Sequence, residues 1–293
     1  TTAMTLADIL RPQPPKDHEE EAEKVSLSAP VIQPAKVIAV WGSAGSGKTT
    51  LAVNIGFELS SMDLRVLIID ADSYRPSVAA CLGLTEPGPG ITAMLRLART
   101  SRLSVDELHR LTEEIQFGKK SLRVLTGLNA PSRWPELDSD SIATLIQFTK
   151  EHFDVVVIDV SAELEQGLVS SGSEIPRNSS TRVIIDQADF ALGLFAADPV
   201  GLNRFLWDCR NADFEFWPVA NRVRASTIGK NPDRQLRDTM HRLARLELRA
   251  VIAEDAHAAD LSLLKAQPLC LCAKNSKTRE SIRLLSLDLL DAT

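Results

Sequence analysis

One stretch constrains this chain more than any other: Gly42-Ser43-Ala44-Gly45-Ser46-Gly47-Lys48-Thr49. It follows the apolar run 37–41 and opens a helical pattern over 49–61. The stretch fits G-x-x-x-x-G-K-[ST] in the strand–loop–helix context that the pattern requires. Gly42, Gly45 and Gly47 let the backbone turn tightly enough to aim N–H groups at phosphate oxygens. The helix N-terminus adds its partial positive charge. Lys48 is then placed to bridge β- and γ-phosphates, and the Thr49 hydroxyl to ligate Mg²⁺. The candidate cradle is the whole run 42–50, with Ser43, Ala44, Ser46 and Thr50 included.

The remainder of the chain supports a sheet behind that loop. Apolar strand patterns at 65–70, 122–127, 154–159, 188–196, 216–223 and 248–255 alternate with helical stretches. Several are apolar on both faces, as parallel strands are when helices cover both sides. The expected fold is α/β: one doubly wound, mostly parallel sheet flanked by helices. It spans 36–293 and is preceded by a segment 1–35 with five prolines and the acidic cluster Asp17, Glu19, Glu20, Glu21 and Glu23. That composition predicts a disordered or linker segment. A start at Thr1 suggests a fragment whose upstream part was removed.

No apolar run approaches the roughly 18 to 20 residues of a spanning helix. A net charge of −6 argues against a protein that coats nucleic acid. Cys81, Cys209, Cys270 and Cys272 contain no C-x-x-C spacing and read as reduced, mostly buried thiols. Cys270 and Cys272 would share one face of a strand.

Three aspartates end strand patterns near the expected ligand edge. Asp159 closes 155–158 at the carboxyl edge of the sheet, the position for a residue that holds Mg²⁺ directly or through water. Asp70 and Asp72 follow 65–69 and can both face the site from a loop. Their plainer reading is turn chemistry with helix capping by Ser73 or Asp72.

The order of phosphate loop, the 68–84 segment with Asp70 and Asp72, the strand ending in Asp159, and Val219-Ala220-Asn221-Arg222-Val223-Arg224 resembles the MinD/ParA branch of P-loop ATPases. The likeness runs from Val37 to about Leu290. Within the branch, 124–137 (with Arg133-Trp134-Pro135-Glu136-Leu137) and 174–204 (with Ala196-Ala197-Asp198-Pro199-Val200-Gly201-Leu202) resemble the CpaE/TadZ-type pilus-assembly ATPases. The resemblance implies the following roles. Lys48 and Thr49 meet phosphate and metal. Asp72 orients the attacking water, and Asp70 lies near the metal. Asp159 is the Walker-B residue, which makes Thr49, Asp70 and Asp159 the metal set. Asn221 reads the adenine edge with Arg222 beside it. It also implies Mg-ATP as cofactor, an ATP-dependent homodimer, and a cytoplasmic protein recruited to a cell pole or the inner face of the membrane. Its partners would be pilus-assembly or polar-localisation proteins. Two departures stand out. The branch usually carries a lysine that crosses the dimer, and Ser43 stands there, followed by Ala44. The family's proline near the base pocket is Ala253. Slow hydrolysis is expected, with Arg75 and Arg177 as candidate substitute cations.

Alternative readings follow from other features. Residues 221–250 hold eight basic residues against three acidic ones, which raises a ParA-type DNA-segregation role. A solvated helix face is the favoured account. On that helix, opened by Asn231-Pro232, Leu236, Met240 and Leu243 form the expected buried stripe. The last helix, 276–290, carries six large apolar residues and ends with Asp288 and Asp291, so it is expected to pack on the domain rather than on a membrane. Trp134, Trp207 and Trp217 read as core or interface anchors. Gly167 and Gly172 suit a mobile switch loop. A scaffold that binds ATP without turning it over is the second functional reading.

Overall fold

The computed structural model describes residues 35–85, 88, 90–165 and 176–292. The expected linker before Ala35, and Gly167 and Gly172, lie outside the described residues.

Eight strands form one sheet in the order β3-β4-β2-β5-β1-β6-β7-β8. They are β1 (Lys36–Gly42), β2 (Val66–Ala71), β3 (Glu113–Phe117), β4 (Lys120–Leu125), β5 (Val155–Val160), β6 (Phe190–Ala196), β7 (Trp217–Val223) and β8 (Ala250–Ala253). Every neighbouring pair is parallel except β3–β4, an antiparallel hairpin. Strand patterning anticipates seven of these. It misses β3, because only Ile115 and Phe117 are large apolar residues in Glu113-Glu114-Ile115-Gln116-Phe117 and all five residues are at least partly exposed. An edge strand needs little apolar content.

Alternation along the central strands divides the core in two. Val37, Ala39 and Trp41 of β1 point to one face, with Leu67 and Ile69 of β2. Ile38 and Val40 point to the other, with Val66 and Ile68. The first face is covered by α2 (Gly90–Arg99), α3 (Ser139–Lys150), α4 (Ser179–Gln187), α5 (Pro199–Asp208) and α6 (Pro232–Ala244), through side chains such as Leu95, Leu145, Ile184, Phe205 and Met240. The second is covered by α1 (Lys48–Ser60) and α8 (Lys277–Asp291), through Leu51, Ile55, Leu59, Ile282, Leu285 and Leu289. A further helix, α7 (Ala256–Lys265), contributes Ala258 to this side. The helix α5 starts as its sequence predicts: Pro199 is at its first position, and Asp198 accepts from the N–H groups of Val200 and Gly201.

Several expectations need correction. Leu243 is 56% exposed and leaves the buried stripe of α6 to Leu236 and Met240. Trp207 is 59% exposed, which removes the core half of its expected core-or-interface role. Cys270 and Cys272 lie in the short helical turn Leu269–Cys272 rather than a strand, and of the four free thiols Cys270 alone is fully buried. The packing expectation for α8 holds. It is capped by Ser276 and tied to α1 by the Arg279–Glu58 ion pair at 2.7 Å. Among the described residues no helix is long and apolar enough to cross a membrane.

Candidate active site

The phosphate loop leaves β1 at the centre of the sheet, between β5 and β6. Gly42 has φ +141°, and a Cβ there would lie 2.0 Å from the Leu194 carbonyl oxygen. Only glycine passes that strand end. Ser43 N–H then donates to the Leu194 carbonyl at 3.1 Å, and Ser46 N–H to the Ser43 carbonyl at 3.1 Å, curling the loop. Gly45 and Gly47 also have positive φ, and Gly47 is the left-handed N-cap of α1. This helix start has no side-chain cap, so helix N–H groups there remain free for an anion. Ala44, Gly45, Gly47, Lys48, Thr49 and Thr50 line a cleft of about 290 Å³.

Opposite the loop stands Asp159. It is paired in register with Val40 of β1 on one side and Asp70 of β2 on the other. Thr49 Oγ1 donates to Asp159 Oδ2 at 2.6 Å. Asp159 is fully buried, and its Oδ1 has no hydrogen-bond partner. Burial, with the Asp70 charge next in weight, pushes its carboxyl up to about 8. A buried carboxylate with an orphaned oxygen beside a threonine hydroxyl fits a divalent cation, which supplies the missing partner and favours the charged form. Among the described residues no group of three His, Cys, Asp or Glu side chains forms a cation cage.

Asp70 is adjacent but engaged elsewhere. Its Oδ2 accepts from the N–H groups of Ser77 and Val78 at 2.8 and 2.9 Å, and its Oδ1 from Asp72 N–H at 3.2 Å. It caps the short turn Val78–Cys81, and burial raises its carboxyl to about 6. Here Asp70, rather than Ser73 or Asp72, holds the start of that turn, and it stands in register beside Asp159. Asp72 lines the cleft, with Oδ1 accepting from Tyr74 N–H at 2.8 Å and Arg75 N–H at 2.9 Å.

The resemblance places Asn221 at the adenine. Here its Nδ2 donates to the Ser46 carbonyl at 2.7 Å, and its Oδ1 accepts from Arg222 N–H at 2.8 Å. The Nδ2 end of the amide braces the loop, while its oxygen holds the adjoining backbone, and a Cβ on Gly47 would meet that Nδ2 at 2.6 Å. Arg222, at φ +56°, does line the cleft. Lys48 is buried, and among the described residues its ammonium forms no ion pair.

The structure adds groups that sequence reasoning misses. Ser43 Oγ donates to Asp208 Oδ2 at 2.5 Å, so the position of the usual crossing lysine is tied to the end of α5. Half-burial raises the Asp208 carboxyl. Tyr74, Ser77, Ala162 and Glu163 also line the cleft. No local signal points to Asp208, 165 residues from Ser43. Tyr74 and Ser77 sit in the loop already singled out for its aspartates.

A family model described as the CobQ/CobB/MinD/ParA nucleotide binding domain matches residues 37–268. The chain belongs to the MinD/ParA family of P-loop ATPases. Among relatives of this family, a putative septum site-determining protein MinD of Oltmannsiellopsis viridis is 24% identical over 268 residues, covering 89% of this chain and 77% of the relative. Two solved structures share the fold. A ParA family ATPase from Chlorobium tepidum TLS superposes with a TM-score of 0.70 at 18% identity, over 86% of this chain and 98% of that one. The septum site-determining protein MinD complexed with Mg-ADP, from Pyrococcus horikoshii OT3, gives 0.66 at 19% identity, over 88% and 96%. The MinD/ParA frame thus covers the sheet, the loop and the flanking helices.

Proposed function

We propose that this chain binds Mg-ATP at the loop 42–50 and hydrolyses it slowly. One observation carries the reading: the Thr49 hydroxyl is bonded to a buried Asp159 whose other oxygen lacks a partner. When bound, Mg²⁺ would supply charge neutralisation at the phosphates, held by Thr49 and by Asp159 directly or through water. Lys48 and the loop N–H groups hold and polarise the phosphates. Asp72, at the mouth of the cleft, accepts a hydrogen bond from the attacking water and orients it. Asn221 braces the loop, and Arg222 stands at the cleft wall. Glycines at 42, 45 and 47 keep the backbone close enough to make these contacts.

Slow turnover follows from Ser43. A serine bonded to Asp208 has no cation to lend to a partner's γ-phosphate, and such a charge is worth orders of magnitude in rate. Arg75 is exposed and lines the cleft, and among the described residues it makes no ion pair, which supports it as the substitute. Lysine at position 43 is expected to raise turnover.

The output is a nucleotide-dependent homodimer that positions other proteins at a cell pole or at the cytoplasmic face of the membrane, with peripheral attachment at most. The 124–137 and 174–204 strings support Tad or type IV-like pilus assembly as the machinery. Light scattering with ATP, ADP and no nucleotide tests the switch: a dimer only with ATP supports it, and one mass in all three states removes it. The scaffold reading is favoured by the Ser43–Asp208 contact, and undiminished dimerisation without measurable turnover would select it. The DNA-segregation reading loses support from the ion pairs of Arg234 and Arg237 on α6.

A further inference from the structure

The loop after β2 carries Asp72, and a side chain from a distant part of the chain grips it. Arg177 lies just before α4. Its guanidinium carbon is 3.7 Å from the centroid of the Tyr74 ring and 5.8 Å from that of Trp134. One Nη donates to the Ser73 carbonyl, and Nε is buried without a partner. Ser73 is also held by Ser161, whose Oγ accepts from Ser73 N–H at 3.1 Å and lies 3.0 Å from Ser73 Oγ. Next to Arg177, Asn178 Nδ2 donates to the Glu165 carbonyl at 2.6 Å. Two loops that both line the cleft are therefore joined through this cluster.

The link reaches Asp72 through the backbone. Its carboxylate accepts from the N–H groups of Tyr74 and Arg75, so fixing Tyr74 fixes the carboxylate. A guanidinium suits this role, because its flat face stacks on the phenol ring while its edge donates to a carbonyl. A lysine ammonium offers no such face.

We propose that Arg177 is a positioning residue: its guanidinium clamps the Tyr74 ring and the Ser73 carbonyl, and so holds the Asp72 carboxylate at the cleft and couples the β2 loop to the segment after β5. The clamp acts within one chain. Its consequence for hydrolysis rests on the ATPase reading above, whereas the clamp itself does not.

Tyr74 is the single tyrosine of the chain, so 3-fluorotyrosine labelling gives one fluorine resonance. In Arg177→Ala that resonance moves toward the position of the free amino acid and narrows. Arg177→Lys moves it in the same direction, and serves as the second variant should Arg177→Ala lose the fold. Lys48→Ala, the nucleotide-blind control, leaves it in place. In Arg177→Ala kcat falls about 10- to 100-fold, the scale of a misplaced catalytic group. Mg-ATP affinity stays within about threefold, the split expected when an interaction acts mainly on the transition state. An unmoved resonance in Arg177→Ala overturns the clamp. A moved resonance with unchanged kcat overturns the positioning role. Failure of the wild-type chain to turn over Mg-ATP removes the hydrolytic reading, and the fluorine measurement then decides the clamp alone.

Discussion

The carboxyl edge of the sheet and the helix α6 both concentrate charge, but they treat it in opposite ways. At the edge, buried polar groups beside the cleft leave bonds unmade: Asp159 Oδ1 and Ser46 Oγ have no partner, and Lys48 has no ion pair among the described residues. Along and beside α6 four of the cations are answered by neighbours, whereas Lys230, Arg242 and Arg245 make no ion pair among the described residues. Arg234 pairs with Asp238, Arg237 with Asp233, Arg224 with Glu254, and Arg249 with Asp288. Arg237 also donates to the Leu248 carbonyl, and Arg249 stacks 4.1 Å from the Trp217 ring centroid. Unmade bonds in a buried site are costly and point to a ligand, whereas a run of arginines with acidic partners one turn away describes a solvated helix face.

This contrast can be broken. Gly42→Ala has the largest expected effect, because it forces a Cβ against the Leu194 carbonyl at an unfavourable φ. A loss of about 3 kcal/mol or more in denaturant unfolding is expected. A neutral result would mean that the loop is not built as described. On α6, Met240→Ala is expected to cost about 2–5 kcal/mol as a core truncation, and Leu243→Ala less than about 0.5 kcal/mol. Equal costs would show that the helix buries a different face. Asp159→Asn keeps the shape and removes the charge. Calorimetry should show ATP affinity in Mg²⁺ weakened about 10- to 100-fold, and affinity in excess chelator nearly unchanged. A loss identical in both buffers would remove Asp159 from the metal. The smallest effect is expected from Arg234→Glu combined with Arg245→Glu. Retention on DNA at low salt should be as weak as for the wild type, and stability should move by no more than about 0.5 kcal/mol. Strong ATP-dependent retention lost in the double variant would restore the nucleic-acid reading.

What can be read in the sequence is whatever depends on local pattern. The phosphate loop, the two-sided apolar strands and the Asp198-Pro199 helix start need only neighbours, and they stand where expected. What cannot be read depends on how the chain folds back on itself, near or far. Asp70 and Asp159 both end apolar strands and look alike in sequence. The loop at 72–78 folds back onto Asp70 and turns it into a helix cap, while Asp159 faces Thr49 with one oxygen free. The same holds for Ser43, whose bond to Asp208 no spacing announces. Leu243 departs from expectation although it has the right period: it sits one residue from the end of α6 and is exposed. The edge strand β3 escapes notice because half-exposed strands carry little apolar signal.

The most direct test is calorimetric titration of Mg-ATP into the wild-type chain and into Lys48→Ala. Saturable binding to the first and none to the second is the predicted result. Absence of binding to both, or equal binding to both, would contradict the assignment of the 42–50 loop as the nucleotide site.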